Sequence, residues 1–272
     1  MTNSPISAIS LIALFAAMTS DATACPDTDC IIGDRTYRVA LPKDYDGTKS
    51  IGAIIFVHGY RGSSGGVMKN TALTDLASQL GVVFVAAQAA GVEWNIPGVP
   101  SIDSIEGVDE LPYFDALIED LAQRFAVDRT RLVVSGFSSG AMMVWHLACY
   151  RGSSFAGFVP MSGTFWEPIP ENCPTGSVNL VHYHGKDDTM VPLHGRKIKD
   201  GHQGDVYEAV ELLAHAGGYR PIETEQSAEL QCSRQVDDNG KLLELCLFPG
   251  KHTLKAKYVV RAWREFEPTM SR

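Results

Sequence analysis

Three segments of this chain carry side chains suited to nucleophilic catalysis. Gly136-Phe137-Ser138-Ser139-Gly140 is a G-x-S-x-G string. Between a strand and a helix, such a string bends the serine into a strained turn and lifts its Oγ above a sheet. The glycines make room where the two elements nearly collide. His184-Gly185-Lys186-Asp187-Asp188-Thr189 offers two adjacent carboxylates, either of which is able to orient a histidine. Pro249-Gly250-Lys251-His252-Thr253 sets a histidine on a glycine-containing loop, where it is placed to act as a general base. Each segment alone is weak evidence, because loop aspartates are more often solvated turn residues. A lone histidine is more often on the surface. Together they supply what a serine needs. Its hydroxyl is a poor nucleophile near neutral pH, and it requires a base whose tautomer is fixed by a third group.

The elements that must position these groups are legible as apolar runs. Residues 53–57, 82–87, 132–135, 157–161 and 178–183 are short continuous runs, as expected of strands covered on both faces. Residues 37–41 read as an early strand. Phe114, Leu117, Ile118, Leu121 and Phe125 form one helical stripe. Helices are also predicted over 141–150 and 205–216, and Val259, Trp263 and Phe266 mark a final one. Strands alternating with helices predict an α/β fold with a mostly parallel central sheet and helices on both faces. Ser138, the Asp187/Asp188 pair and His252 each follow a strand. In such sheets chemistry collects at the carboxyl ends of strands, and Ser, Asp, His in that order is the order of the α/β-hydrolase fold. A fourth segment fits. The run 53–57 leads into His58-Gly59-Tyr60-Arg61-Gly62, a loop able to aim the Tyr60 N–H at an oxyanion beside the N–H of Ser139.

At this point the sequence resembles the secreted polyhydroxybutyrate depolymerase/feruloyl esterase group of α/β-hydrolases. The resemblance rests on His58-Gly59, Trp94-Asn95, Gly136 to Gly140, and His184-Gly185 through Asp188 to Val191-Pro192, and it spans roughly residues 30–267. It implies that Asp188, not Asp187, is the acid, and that Cys149 bridges Cys173. It also implies a serine esterase with Ser138 as nucleophile, His252 as base, and Tyr60 and Ser139 as oxyanion donors. The expected substrates are short or oligomeric hydroxyalkanoate esters. The alternative is a feruloyl or acetylxylan esterase acting on plant polysaccharide. A serine peptidase, or a non-catalytic binder on the same scaffold, is a weaker reading. The chain departs from the group's Gly-Gly-Gly-His-x-Trp pattern, having Pro249-Gly250-Lys251-His252-Thr253-Leu254 instead. It also has Ser139 where Asn is usual. Trp94 and Trp166 are candidates for a wall of the acyl pocket or for simple packing. Trp145 and His146 read as core. His182 and His184 have a spacing that suits a metal, but no partner pattern supports one, and no metal or cofactor is expected.

Composition agrees with a secreted enzyme. The chain has 272 residues, with 45% hydrophobic, 20% charged and a formal net charge of −9, which argues against a nucleic-acid partner. Residues 1–24 read as a signal peptide. An apolar run over 11–18 is followed by Ala22-Thr23-Ala24, although no Lys or Arg precedes the run. Residues 25–272 are expected to form one catalytic domain with no membrane attachment after cleavage. The six cysteines fit an oxidising compartment. Asp238-Asn239-Gly240 is a hairpin signal. A three-residue loop there pairs Val236 with Leu242, Arg234 with Glu244, and Cys232 with Cys246 at a non-hydrogen-bonded site within disulfide reach. Spacing alone does not pair the other four. Cys25 with Cys30, and Cys149 with Cys173, are the expected pairs.

Overall fold

A computed structural model describes residue 25 and residues 28–101, 103–222 and 224–270. The expected signal peptide, 1–24, lies outside the described residues. The strands in chain order are β1 (Cys30–Ile32), β2 (Arg35–Ala40), β3 (Ile51–Val57), β4 (Val83–Ala87), β5 (Val127–Phe137), β6 (Gly157–Met161), β7 (Leu180–Gly185), β8 (Arg196–Ile198), β9 (Gly201–Gln203), β10 (Arg220–Pro221), β11 (Glu225–Gln226), β12 (Gln231–Val236) and β13 (Leu242–Phe248). The main sheet runs β1-β2-β4-β3-β5-β6-β7-β13-β12-β10, with β11 also on β12. Its centre, from β4 through β13, is parallel, and its two margins are antiparallel. This is the α/β-hydrolase fold.

The continuous apolar runs follow from burial on both faces. Along β3, Ala53, Ile55 and Val57 enter one core while Ile54 and Phe56 enter the other. Helices α1 (Ser64–Met68), α2 (Thr71–Thr74) and α3 (Leu76–Leu80) come first in the chain, then α4 (Glu110–Arg124), α5 (Ser139–Tyr150), α6 (Val206–Gly217) and α7 (Ala256–Phe266). The first core joins α4, α5 and α6, and the second joins α1 to α3 and α7. The α4 stripe is buried as its spacing requires, and Asp109 caps the helix by accepting from Leu111 N–H. Asp205 caps α6, and Gly218 ends it at φ 65°. Among the described residues no helix is long and apolar enough to cross a membrane.

Helix α5 is buried almost throughout, Trp145 included, because the parallel sheet and its neighbours enclose it. His146 packs against Tyr150 with its ring tilted, and burial pushes its imidazole down to about 4.

The β12–β13 hairpin has the register Val236–Leu242, Arg234–Glu244 and Cys232–Cys246. Gly240 takes φ 78°, the left-handed turn conformation. Cys232 and Cys246 are bonded with Cα atoms 4.0 Å apart. Cys149–Cys173 and Cys25–Cys30 are also disulfides. Glu244 is wholly buried but not unpaired, since Arg261 Nη1 donates to it at 2.7 Å and Arg234 lies at 3.5 Å. A buried carboxylate is tolerable only with such partners.

Candidate active site

Strand β5 runs into α5 through Ser138, which sits at φ 58°, ψ −124°. A non-glycine residue is costly there, so the surrounding contacts must enforce it. Ser138 N–H donates to Met161 O, and Ser138 O accepts from Ala141 and Met142. The approach of strand and helix leaves no space for side chains on either side. A Cβ on Gly136 would lie 2.4 Å from Gly140 O, and one on Gly140 would lie 2.0 Å from Val57 O. The G-x-S-x-G spacing is therefore a packing requirement as well as a chemical one.

Strand β7 delivers Asp188, and the adjacent parallel strand β13 delivers His252. Backbone bonds Lys186 N to Phe248 O and Asp187 N to Gly250 O tie the two loops together. His252 Nδ1 donates to Asp188 Oδ2 at 2.7 Å. Asp188 Oδ1 accepts from the N–H groups of Met190 and Val191, both at 2.9 Å. Burial alone would raise the Asp188 pKa. The hydrogen bonds from His252 and Val191 outweigh it and hold the carboxyl below the usual range. Asp187, its neighbour, is exposed. The His252 ring lies on Phe137, the residue before Ser138, with ring centres 4.6 Å apart. The Ser138 hydroxyl makes no hydrogen bond to His252 here. Such bonds often tighten only when substrate is present.

Behind Asp188, His182 and His184 bond to each other, with Nε2 to Nδ1 at 2.8 Å. His184 Nε2–H donates to Val191 O, so its Nδ1 is the acceptor and His182 Nε2 carries the proton. Burial pushes both imidazoles down, which keeps them neutral. Through the His184 bond to Val191 O the pair braces the 188–191 turn.

Opposite Ser138, the His58-Gly59-Tyr60 loop closes on the nucleophile turn. A Cβ on Gly59 would lie 3.4 Å from Ser138 Cβ. His58 Nε2 accepts from Ala89 N–H at 3.2 Å, so its Nδ1–H donates to Gly59 O at 2.9 Å. Among the described residues, the amides of Tyr60 and Ser139 donate to no protein acceptor. The Ser139 amide also stands at the start of the twelve-residue α5, where helix dipole and free N–H groups favour an anion.

A cavity of about 230 Å³ opens beside Ser138. Met142 and Trp166 give it apolar walls. Trp94 does not. It is fully buried, its Nε1–H donates to His58 O at 2.8 Å, and its ring packs on His58 and Phe114. Its place is behind the His58 loop, because the indole N–H finds its partner in that backbone.

Sequence reasoning missed two features of the cavity. One is the β8–β9 hairpin, whose Arg196, Ile198 and Gln203 form its far wall, with Gln203 bridged to Trp166. Tyr60 Oη–H and Lys199 Nζ both donate to Asp103, fastening the hairpin to the His58-Gly59-Tyr60 loop. The other is Glu93. It lines the cavity and is only 7% exposed. Burial pushes its carboxyl up to about 7, partly offset by the nearby Ser139 hydroxyl and Lys199.

Residues 45–212 match the protein family described as phospholipase/carboxylesterase. Over 171 residues the chain is 25% identical to "Probable feruloyl esterase C" of Aspergillus terreus, covering 60% of this chain and 58% of that one. Over 172 residues it is 25% identical to "Feruloyl esterase C" of Emericella nidulans, again covering 60% and 58%. These matches thus span under two thirds of the relatives' length. Among solved structures, an acetyl xylan esterase from Aspergillus awamori superimposes with a TM-score of 0.63 at 15% identity, covering 85% of this chain and 94% of that one. The Bacillus cereus carboxylesterase gives 0.56 at 12% identity, covering 87% and 95%. These two likenesses establish the fold.

Proposed function

The chain belongs to the phospholipase/carboxylesterase family, and from that premise we propose that it is a secreted serine esterase working through Ser138, His252 and Asp188. The observation that carries this is the 2.7 Å bond from His252 Nδ1 to Asp188, at the same sheet end as a strained serine opening a helix. That bond determines the chemistry of the imidazole. With Nδ1 donating to a carboxylate held ionised, Nε2 is the bare nitrogen and acts as the base. His252 takes the proton from Ser138 as Oγ attacks the ester carbonyl. The Tyr60 and Ser139 amides receive the oxyanion, His252 returns the proton to the leaving alcohol, and water then hydrolyses the acyl-enzyme by the same route.

Residues 25–272 act as one catalytic domain, released after removal of residues 1–24, and three disulfides suit that compartment. Two acyl classes compete. The sequence motifs favour short hydroxyalkanoate esters, as in polyhydroxybutyrate depolymerases. The names of the curated relatives favour hydroxycinnamoyl esters, and we rank that reading level with the first. Labelling by a fluorophosphonate tests the nucleophile, with adduct expected on Ser138 and absent from Ser138→Ala. Failure of the folded wild-type protein to label overturns the serine esterase. Values of kcat/KM on a soluble 3-hydroxybutyrate oligomer and on methyl ferulate, with Ser138→Ala as blank, then choose the acyl class.

A further inference from the structure

Glu93 is a buried carboxyl whose near neighbour is the Ser139 hydroxyl. Among the described residues it takes part in no ion pair, and one hydroxyl leaves most of a carboxyl's hydrogen-bonding positions open. Buried polar groups are ordinarily satisfied, so the open positions of this carboxyl are suited to a ligand in the cavity. Glu93 stands in the wall of the cavity that Ser138 also lines.

The surroundings limit what Glu93 receives. An anionic ligand meets the carboxylate itself. The rest of the lining sets Asp103 against Arg196 and Lys199, so its charges largely offset one another and favour neither ion. A neutral group that both donates and accepts satisfies Glu93 in either protonation state and the Ser139 hydroxyl as well. The acyl group is the part of an ester that stays bonded to Ser138 after the alcohol leaves, so it is the part the cavity must hold.

We propose that Glu93 is a specificity-determining residue that hydrogen-bonds a hydroxyl on the acyl group of the substrate. This rests on the serine esterase reading and deepens it. Hydroxyalkanoyl and hydroxycinnamoyl groups share this chemistry, so the inference does not depend on which of them is used.

The test uses matched esters that differ by one acyl hydroxyl: ethyl 3-hydroxybutyrate against ethyl butyrate, and methyl 3-(4-hydroxyphenyl)propanoate against methyl 3-phenylpropanoate. The readout is the ratio of kcat/KM within each pair, in which any loss common to both esters cancels. Wild type is expected to prefer the hydroxylated ester roughly tenfold in one pair, as a net hydrogen bond of that kind allows. Glu93→Leu collapses that ratio to near unity. Glu93→Gln, which still donates and accepts, keeps a measurable part of it. Should Glu93→Leu fail to fold, Glu93→Ala replaces it in the same comparison. No hydroxyl preference in wild type, or a preference undiminished in the apolar variant, overturns the proposal. Fluorophosphonate labelling of Ser138 in every variant separates the two failures. Labelled enzymes with an unchanged ratio refute the role of Glu93 alone, whereas an unlabelled folded wild type refutes the esterase.

Discussion

Replacing Glu93 by Gln should stabilise the fold at alkaline pH and do progressively less as pH falls. The folded-state pKa stands at about 7 against an ordinary 4.5, so the fold holds this proton more tightly than the unfolded chain does. The contribution is therefore fully present below the unfolded value and is lost as pH rises toward the folded one. At one pKa unit per ~1.4 kcal/mol, the full cost above pH ~7 is on the order of 3 kcal/mol. Most of it develops between pH ~5 and pH ~8, and solvent reaching Glu93 through the cavity trims it to ~2 kcal/mol over that window. Ser139, Asp103 and Lys199 face the same carboxyl and are common to both proteins, so their own behaviour largely cancels in the difference. Urea unfolding of wild type and Glu93→Gln at pH 5, 6, 7 and 8 measures it. The advantage of the Gln protein should grow by ~2 kcal/mol, or roughly 4–8 °C in Tm, across that range. A difference that is flat with pH, or that shrinks as pH rises, refutes the reasoning.

Asp188→Asn should lower kcat by about 10⁴, by spoiling the His252 tautomer while leaving the shape intact. Asp187→Asn, made as the control, should stay within a few-fold, and equal losses would mean the acid is misassigned. Ser138→Gly should abolish turnover yet raise stability by ~1 kcal/mol, because glycine accepts φ 58° without strain. Calorimetry showing a loss instead would mean the turn is not strained. Removing Cys232–Cys246 by paired Cys→Ala changes should cost up to ~3 kcal/mol, as expected for a bridge spanning fourteen residues. An unaltered urea midpoint under oxidising conditions would show that the β-ladder alone holds the hairpin.

The parallel core and the ends of its strands were legible because burial on both faces writes strands as unbroken apolar runs. Gly136 and Gly140 were readable for a related reason, since only glycine fits where β5, α5 and β3 converge. The β12–β13 register followed from turn chemistry plus a pairing of opposite charges. What escaped depends on where loops travel. Arg196 to Gln203 is polar and reads as a solvated stretch, yet it folds into a small hairpin that walls the cavity. Glu93 sits in a loop beside Trp94, and nothing in its neighbours marks it as buried. Trp94 and Trp166 look alike as tryptophans following apolar segments. Only the His58 carbonyl, reached by one indole and not by the other, tells them apart.

The position of β13 has a kinetic corollary. It lies between β7 and β12 in the sheet, and His252 follows it directly. On the proposed assignment, His252 meets Asp188 only once this strand has docked, whatever state β5 has reached by then. Regain of turnover during refolding therefore requires, among other events, the docking of β13 on β7. Tryptophan emission, drawn from Trp94, Trp145, Trp166 and Trp263, averages over both faces of the sheet. Turnover that trails the emission would mean that the chain packs before every strand carrying a reacting group is in place.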